Sequence, residues 1–321
     1  MDDRFTPLPR EESARDEIVR PSLTYWQDAW KRFRRNIPAM VAGSVLVLMV
    51  LACIVLPLVW PYTYAQTDRA ARYALPSAQH WFGTDKFGRD LFIRVVYGGR
   101  ISLSIGLVGS LINLTIGVLY GGFSGYLGGK LDMVLMRIVE ILDAIPLLLY
   151  VILLQVVFKD TINAAFATVP FLRIFEGVGA QLFLVYIVLG SVYWVGMARM
   201  VRGQVMSLKN NEYVLAARSM GAGTWRLVLR HLIPNAIGQI IVMVTMAIPT
   251  AIFAESFLSF IGLGVSEPMA SWGSLASDVY GEIVSHPTQL LFPALAICIT
   301  VLAFNILGDG LRDALDPRMR K

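Results

Sequence analysis

The chain has 321 residues, of which 56% are hydrophobic and only 16% are charged, and its formal net charge is +5. A soluble domain carries about 25% charged residues, so this composition favours a membrane protein. The positive charge is weak evidence for nucleic-acid binding, because membrane proteins gather Lys and Arg beside their cytoplasmic ends. We therefore expect a lipid bilayer as the solvent and no nucleic-acid partner.

Residues 1–35 mix acidic and basic side chains and lack the apolar core that a secretory signal peptide requires. We interpret them as a cytoplasmic tail whose basic end, KRFRR (Lys31 to Arg35), abuts the membrane.

Six apolar stretches follow, each long enough for the roughly 20 helical residues that cross a hydrocarbon core. They predict spans over Ile37 to Trp60, Ile101 to about Gly122, about Ile138 to Phe158, Gly177 to Ala198, about Ala236 to Gly262 and about Gln289 to Leu307. The predicted fold is all-α, a polytopic membrane protein with six transmembrane helices. Its predicted parts are a tail (1–35), a first transmembrane helix (36–60), an extracytoplasmic loop with a short helix (61–98), a core of five transmembrane helices (99–311) and a second tail (312–321).

The distribution of basic residues predicts the orientation. With the N-terminus inside, the inner segments hold 20 of the 28 Lys and Arg residues, and the last outer loop, 264–288, holds none. The positive-inside rule therefore favours cytoplasmic N- and C-termini. Six basic residues in the first outer loop run against the rule. Local pairing, such as Asp90 with Arg94 four residues later on a short helix, would account for them.

Three acidic residues fall inside predicted spans. Glu140 and Asp143 share one helix face near the start of the third span, and Glu255 interrupts the fifth. Charges within a span usually face a cavity or a polar partner. For Glu140 and Asp143 the alternatives are a cation or proton site and a structural contact assisted by Arg137. Asp143 and Glu255 are the candidates for the translocation path or a gate.

Four glycines, Gly117, Gly121, Gly125 and Gly129, recur every four residues. This spacing predicts close approach of another helix. The alternative is that the chain from Gly121 onward is already a flexible inner turn.

The stretch NEYVLAARSMGAGTWRLVLRHLIPN (Asn211 to Asn235) is too charged to cross a bilayer and too apolar for an idle loop. It predicts a first helix over Glu212 to Met220, then a break at the glycines that follow. A second helix is predicted over Trp225 to Ile233, capped by Thr224 and stopped by Pro234.

The second predicted helix is amphipathic. Its apolar residues follow i, i+3, i+4, i+7 spacing (Trp225, Val228, Leu229 and Leu232), with Arg226 and Arg230 beside them. Three interpretations stay open from the pattern alone. They are a surface connector without a partner, a contact with anionic lipid, and a docking surface for a cytoplasmic protein.

Catalytic and cofactor motifs give no support for an enzyme. The three histidines lack HxxxH or HExxH spacing, the two cysteines lack CxxC spacing, and no GxSxG elbow occurs. SGYLGGKL (Ser124 to Leu131) lacks both the first Gly and the Ser or Thr of a phosphate-binding loop. We therefore expect no metal or cofactor, ATP included, on this chain.

The stretch within 205–235 resembles the EAA loop of permease subunits of ABC importers, in which a short helix docks on a nucleotide-binding subunit. Ala216, Ala217, Gly221 and Pro234 match the spacing of that pattern. Leu215 stands where the pattern has Glu, and Glu212, about one turn earlier, is the candidate to replace it.

Other segments are similar to those of oligopeptide and dipeptide importers, and the short loop after the first span is similar to the C-type member of a heterodimeric permease pair. The segments are FGTDKFGRDLFIRVVYGGRISLSIG (Phe82 to Gly106), EILDAIPLLLYVIL (Glu140 to Leu153), LSFIGLGVSEPMASWGSL (Leu258 to Leu275) and FNILGDGLRDALDPR (Phe304 to Arg318).

The resemblance implies a type I ABC importer permease core in a prokaryotic cytoplasmic membrane. Its implied partners are a B-type permease subunit, two ATP-binding subunits that hold ATP and Mg, and an extracytoplasmic binding protein that delivers peptide. The implied ATPase contacts are Glu212, Ala216, Ala217, Arg218, Gly221, Trp225, Arg226, Arg230 and Pro234. The implied outer loops that face the binding protein contain Asp85, Arg89, Asp90 and Trp272.

Alternative functions remain at this point. Related permeases serve nickel chelates, glutathione or sugars. An ion-driven secondary carrier could use the acidic residues of the spans, and a membrane scaffold could anchor a cytoplasmic enzyme without transport.

Overall fold

The computed structural model describes residues 24–170, 172, 179–265 and 267–316. This part of the chain is helical. The helices are α1 (Tyr25–Arg35), α2 (Ile37–Val59), α3 (Leu91–Leu127), α4 (Gly129–Ala144), α5 (Leu147–Thr168), α6 (Ala180–Leu208), α7 (Glu212–Ser219), α8 (Thr224–Phe260), α9 (Trp272–Tyr280) and α10 (Pro287–Leu315).

Six of these helices are long and apolar enough to cross a membrane: α2, α3, α5, α6, α8 and α10. The predicted number of spans and the all-α fold class are therefore confirmed. Several predicted bounds are wrong. Helix α3 begins at Leu91, so the predicted boundary at 98–99 between outer loop and core falls inside a helix. Helix α10 continues to Leu315, past the predicted start of the second tail at 312.

The third span lies later than predicted, because the chain breaks before Pro146. Ile145 adopts an extended conformation (φ −81°, ψ 119°), as the residue before proline usually does. Glu140 and Asp143 consequently belong to α4, outside the six candidate spans. The start of the predicted fourth span, Gly177, lies outside the described residues, and α6 begins at Ala180.

Helix α8 does not stop at Pro234. A π-helical turn over Leu227–Leu232 precedes the proline, which then occupies the first turn of the α-helical part, where its missing N–H costs little. The Asn235 side-chain amide donates to the carbonyl oxygen of His231 (2.5 Å). The predicted cap is also displaced, because Gly223, and not Thr224, is the N-cap residue.

Glycines bring α3 and α6 into close contact. A Cβ atom on Gly121 would lie 2.2 Å from the carbonyl oxygen of Ala198, and one on Gly125 would lie 2.6 Å from that of Arg202. The predicted close packing is therefore confirmed. Gly129, by contrast, has open space around it and a φ of 58°, and it begins α4.

Arg100 ties α2 to α3. Its Nε donates to the carbonyl oxygen of Cys53 (2.5 Å) and its Nη2 to that of Ile54 (2.7 Å). The Cys53 carbonyl lacks its usual helical donor, because residue 57, four positions later, is a proline. The arginine thus satisfies a backbone acceptor that Pro57 leaves free.

Candidate functional site

The α7–α8 segment, residues 212–234, comprises the short helix α7, a tight turn and the first residues of α8. Helix α7 ends in a Schellman motif, in which the Ala222 N–H donates to the Ala217 carbonyl (3.1 Å) and the Gly221 N–H to the Arg218 carbonyl (2.9 Å). Gly221 has a φ of 85°, a conformation that glycine adopts without steric cost. The predicted break is therefore present, and its geometry depends on Gly221.

One side of this segment is anchored in the protein. Val214 and Ala217, three residues apart on α7, are buried in one apolar cluster. The cluster also contains Leu227, Val228 and Leu232 of α8, together with Val201 and Val205 of α6 and Val118 of α3. The segment is thus packed against three candidate membrane spans.

The opposite side is exposed. Its apolar members include Met220 and Trp225, which are 82% and 63% exposed, and Leu215. Its polar members are Glu212, Arg218, Arg226 and Arg230, and Ala216, Gly221 and Pro234 are exposed with them. Met, aromatic residues and Arg around an apolar centre are typical of protein–protein interfaces.

The exposure pattern differs from the predicted stripe. Val228 and Leu232 are buried as expected, but Leu227 is buried in addition and Trp225 is not. The Trp225 ring instead stacks on Phe123 of α3, with centroids 5.0 Å apart. The π turn changes the helical period over these residues, so a stripe counted at 3.6 residues per turn fails here.

A polar network fixes the spans beside this segment. Arg202 on α6 donates through Nε and Nη2 to both carboxylate oxygens of Asp132 on α4, each at 2.6 Å. Ser124 of α3 donates to the same carboxylate (2.6 Å), and Lys209 donates to the Gly125 carbonyl (3.1 Å). The hydrogen bonds from Arg202 lower the pKa of Asp132 below its usual value. Sequence reasoning missed this site, because partners 70 residues apart leave no local signal.

The two acidic candidates on α4, Glu140 and Asp143, make exposed ion pairs. Asp143 accepts from Arg199 Nη2 (2.8 Å), and Glu140 from Arg137 Nη1 (2.9 Å). The Arg137 contact agrees with the structural interpretation of Glu140. For Asp143, a role in the translocation path stays a prediction, and the residue lies outside the candidate spans.

The loop between α2 and α3, predicted to be the first outer loop, is organised by Asp85. One carboxylate oxygen accepts the backbone N–H groups of Phe87 (2.8 Å) and Arg89 (2.9 Å), and the other accepts Arg89 Nε (2.6 Å) and Arg94 Nη1. Burial would raise the pKa of Asp85, but Arg94 and the hydrogen bonds from Arg89 outweigh it and hold the pKa low.

The expected local pairing of charges is present, since Arg89 and Arg94 both pair with Asp85, but the specific Asp90–Arg94 pair is wrong. Asp90 is the N-cap residue of α3: one oxygen accepts the Ile93 N–H (2.9 Å), and the other contacts His80 Nδ1 (2.8 Å). Arg94 contacts Asp85 and, through Nη2, Asp278 of α9 (3.4 Å). The predicted short helix at Asp90 is thus the first turn of the long helix α3.

The loops that were predicted to lie outside contact one another. Arg89 Nη2 donates to Glu267 (3.1 Å), and Gln289 Nε2 donates to the Thr84 carbonyl (2.9 Å). The loops before α3 and after α8 therefore lie at one end of the molecule. Burial raises the pKa of Asp278 above its usual value, with Arg94 and Lys86 opposing the change.

The four residues predicted to face a binding protein are buried. Asp85, Arg89, Asp90 and Trp272 are each less than a tenth exposed. Trp272 donates from its indole Nε1 to the Val95 carbonyl (2.9 Å), inside the protein. These side chains shape the two loops but do not supply their surface.

Glu255 is completely buried between α3 and α8. Ser102 of α3 donates to one carboxylate oxygen (2.9 Å), and Ser259 donates to the other (2.7 Å). Ser102 also accepts the Trp272 N–H (3.3 Å), so the contact includes α9. A side chain in this position holds helices together and does not line an open surface of this chain.

Comparison with family models and known proteins points to one family of membrane transport proteins. Residues 117–321 match the family model of the binding-protein-dependent transport system inner membrane component, and residues 24–76 match that of the N-terminal transmembrane domain of oligopeptide transport permease C. The chain is 45% identical to the oligopeptide transport system permease protein OppC of Bacillus subtilis, covering 99% of this chain and 97% of that protein.

Two further relatives agree. The dipeptide transport system permease protein DppC of Bacillus subtilis is 46% identical, over 95% of this chain and 90% of that protein. The oligopeptide transport system permease protein OppC of Escherichia coli is 43% identical, over 92% of both chains. Among solved structures, the MetNI methionine ABC transporter in inward-facing conformations matches with a TM-score of 0.54 and 20% identity, over 70% of this chain and 98% of that one. This last likeness concerns the fold.

Proposed function

The chain belongs to the family of inner membrane components of binding-protein-dependent transport systems, and we propose that it forms one half of the pore of an ATP-driven peptide importer. Its relatives bear the names of oligopeptide and dipeptide permeases. The other half of the pore would be a related, B-type permease subunit. Two ATP-binding subunits would hold ATP and Mg²⁺, and an extracytoplasmic binding protein would deliver the peptide, while this chain itself would catalyse no reaction.

The observation that carries the coupling proposal is the two-sided structure of the α7–α8 segment. Its exposed side presents Leu215, Met220 and Trp225 among arginines, as a docking surface does. Its inner side, with Val214 and Ala217, is packed against α3, α6 and α8. A displacement of the exposed side by a docked partner would therefore be transmitted to three spans at once, as rigid-body coupling requires.

We propose that both termini lie in the cytoplasm of a prokaryotic cell. Tyr25 at the start of α1 donates to the carbonyl oxygen of Leu315 at the end of α10 (3.0 Å), so these two ends share one side of the molecule. The α7–α8 segment lies at the same end, since Tyr25 and Trp26 line a groove together with Ile233 and Pro234 of α8. The excess of Lys and Arg in these segments favours the cytoplasmic side for all of them.

A reconstitution experiment tests the proposal. The two permease subunits and the two ATP-binding subunits are placed in proteoliposomes without an ion gradient. The binding protein and peptide are supplied on the extracytoplasmic face of the complex, and ATP on the face of the ATP-binding subunits. We expect peptide uptake that requires ATP hydrolysis and persists when ionophores collapse all gradients. Uptake that follows an ion gradient and ignores ATP would establish the secondary carrier instead.

The substrate class has its own test. Labelled dipeptides, longer peptides, glutathione and nickel chelates are compared in the same proteoliposomes. We expect peptides to be taken up and to compete with one another. Uptake of nickel chelates or glutathione without peptide uptake would exclude the peptide assignment and leave the ATP-driven mechanism intact.

A further inference from the structure

Helix α1 precedes the first membrane span and has two unlike faces. Tyr25, Ala29, Phe33, Trp26 and Trp30 occupy one sector of the helix, whereas the charged side chains occupy the opposite one. A Thr24–Gln27 capping box begins the helix, and Asn36 alone separates its end from α2. The helix therefore lies directly beside the point where the chain enters the membrane.

Within the described residues, part of the apolar sector packs against the protein itself. Ala29 is buried, and Tyr25 reaches Leu315 of α10. Trp26 and Trp30 are 53% and 54% exposed although they lie on the apolar side. Tryptophan is enriched where a protein meets the headgroup region, because its ring is apolar and its N–H is polar.

The opposite sector is basic. Lys31, Arg34 and Arg35 are exposed, and none of them has an acidic partner among the described residues, whereas Arg32 is paired with Asp28 (2.8 Å). The Arg34 guanidinium lies over the Trp30 ring, 5.3 Å from its centroid. Three unpaired cations beside two exposed tryptophans complement a surface of anionic headgroups over acyl chains.

Helix α1 also lies beside the part of α8 that adjoins the α7–α8 segment. Tyr25 and Trp26 line a groove of roughly 610 Å³ together with Ile233, Pro234 and Ile237. The groove is lined by the exposed Trp26 and has space for an acyl chain. A lipid seated here would contact α1 and the base of α8 together.

We propose that α1 is a docking surface for anionic phospholipids of the inner leaflet, and that a lipid bound there braces the base of α8 next to the α7–α8 segment. This inference rests on the proposed cytoplasmic position of the N-terminus. The lipid headgroup contacts Lys31, Arg34 and Arg35, and its chains lie against Trp26 and Trp30.

The test uses the full complex in nanodiscs that contain either photoreactive phosphatidylglycerol or photoreactive phosphatidylcholine. Crosslinks to α1 are quantified by mass spectrometry after digestion. We expect phosphatidylglycerol to label α1 far more than phosphatidylcholine does. Each basic residue near an anionic surface strengthens binding about fivefold, so Lys31→Gln/Arg34→Gln should reduce this labelling roughly thirtyfold.

Two control variants make the result specific. Lys31→Arg/Arg34→Lys keeps both charges and should keep the labelling. Lys130→Gln/Arg137→Gln removes two charges from α4 and should leave labelling of α1 unchanged. Equal labelling of α1 by the two lipids, or no effect of Lys31→Gln/Arg34→Gln, would overturn the proposal.

The same samples separate this inference from the proposed function. Peptide uptake should rise with phosphatidylglycerol in the wild type and lose that dependence in Lys31→Gln/Arg34→Gln. If uptake is normal but α1 shows no lipid preference, the lipid site is wrong and the importer stands. If that variant loses its ATP-binding subunits in every lipid, α1 is a protein contact and the lipid proposal is overturned.

Discussion

Gly221 is the position at which the coupling proposal can be tested most directly. It has a φ of 85° and supplies the left-handed residue of the motif that ends α7. Gly223, two residues later in the same turn, has a φ of −71°. A Cβ atom on either glycine would meet no atom of the described residues within 4 Å. The same substitution at these two positions therefore differs in backbone strain and not in steric contact.

The expected magnitude follows from this difference. A residue other than glycine in the left-handed region costs about 1–2 kcal/mol, which changes the ratio of native to altered turn about 5- to 30-fold. Gly221→Ser should carry this cost. Gly223→Ser should carry none, because serine is favoured at an N-cap position. Gly221→Asn should lie near the wild type, since asparagine tolerates the left-handed region, and Gly221→Pro should be worst, because it also removes the N–H that bonds to Arg218.

The assay measures peptide uptake and ATP hydrolysis together in proteoliposomes of the reconstituted complex. Gly221→Ser and Gly221→Pro should lower the peptide taken up per ATP hydrolysed, while Gly223→Ser keeps the wild-type ratio. A thermal unfolding scan of each complex checks that the variants remain assembled. Wild-type uptake per ATP in Gly221→Pro, or equal loss at both glycines, would refute the role of this turn in coupling.

Three further outcomes are expected. Arg100→Gln should destabilise the purified protein by about 1.5–3 kcal/mol, as loss of charged hydrogen bonds does, but by less in a Pro57→Ala background, where the Cys53 carbonyl regains a backbone donor; additive losses in a thermal double-mutant cycle would contradict this. Asp132→Asn should lower the melting temperature at neutral pH; because the pKa of Asp132 is depressed in the folded protein, its stabilisation should persist above the ordinary Asp pKa of 3.8 and disappear as the pH falls through the lower folded value, and a melting difference between Asp132→Asn and wild type that vanishes at higher pH would oppose it. Glu255→Gln should retain ATP-driven uptake without a proton gradient, since an amide fills the same space between the two serines; complete loss of uptake in a folded complex would instead indicate a role for the carboxylate in transport.

The spans could be predicted because a helix in lipid must satisfy its backbone internally and present apolar side chains. Their ends could not be predicted equally well. Residues before Ile101 read as an outer loop because Arg94 and Arg100 are charged. In the structure these arginines lie within α3, where Asp85 and the Cys53 carbonyl accept from them. Such partners are distant in the sequence, so no local pattern reveals them.

The α7–α8 segment shows the same contrast between features determined by neighbouring residues and features determined by residues distant in the sequence. The break at Gly221 could be predicted, because only a few residue types adopt the turn that follows a helix. The stop at Pro234 could not, because the π turn before it places the proline in the first turn of the α-helical part that continues. The cap lies at Gly223, one residue before the predicted Thr224. Burial of Ala217 but not Ala216 depends on where α6 and α8 lie, and this is a property of the fold.

The absence of Glu at position 215 has a structural consequence for docking. Leu215 lies on the exposed side of the α7–α8 segment with Met220 and Trp225, so this part of the surface is apolar. Glu212 is also exposed, and it lies three residues earlier on the same helical face. In the proposed docking, the partner would offer an apolar contact to Leu215 and a donor to Glu212, about one turn nearer to the start of α7. In the proposed docking, a partner donor placed opposite residue 215 would be buried against a leucine without an acceptor, which costs about 1–3 kcal/mol, so we propose that this position also discriminates among ATP-binding subunits.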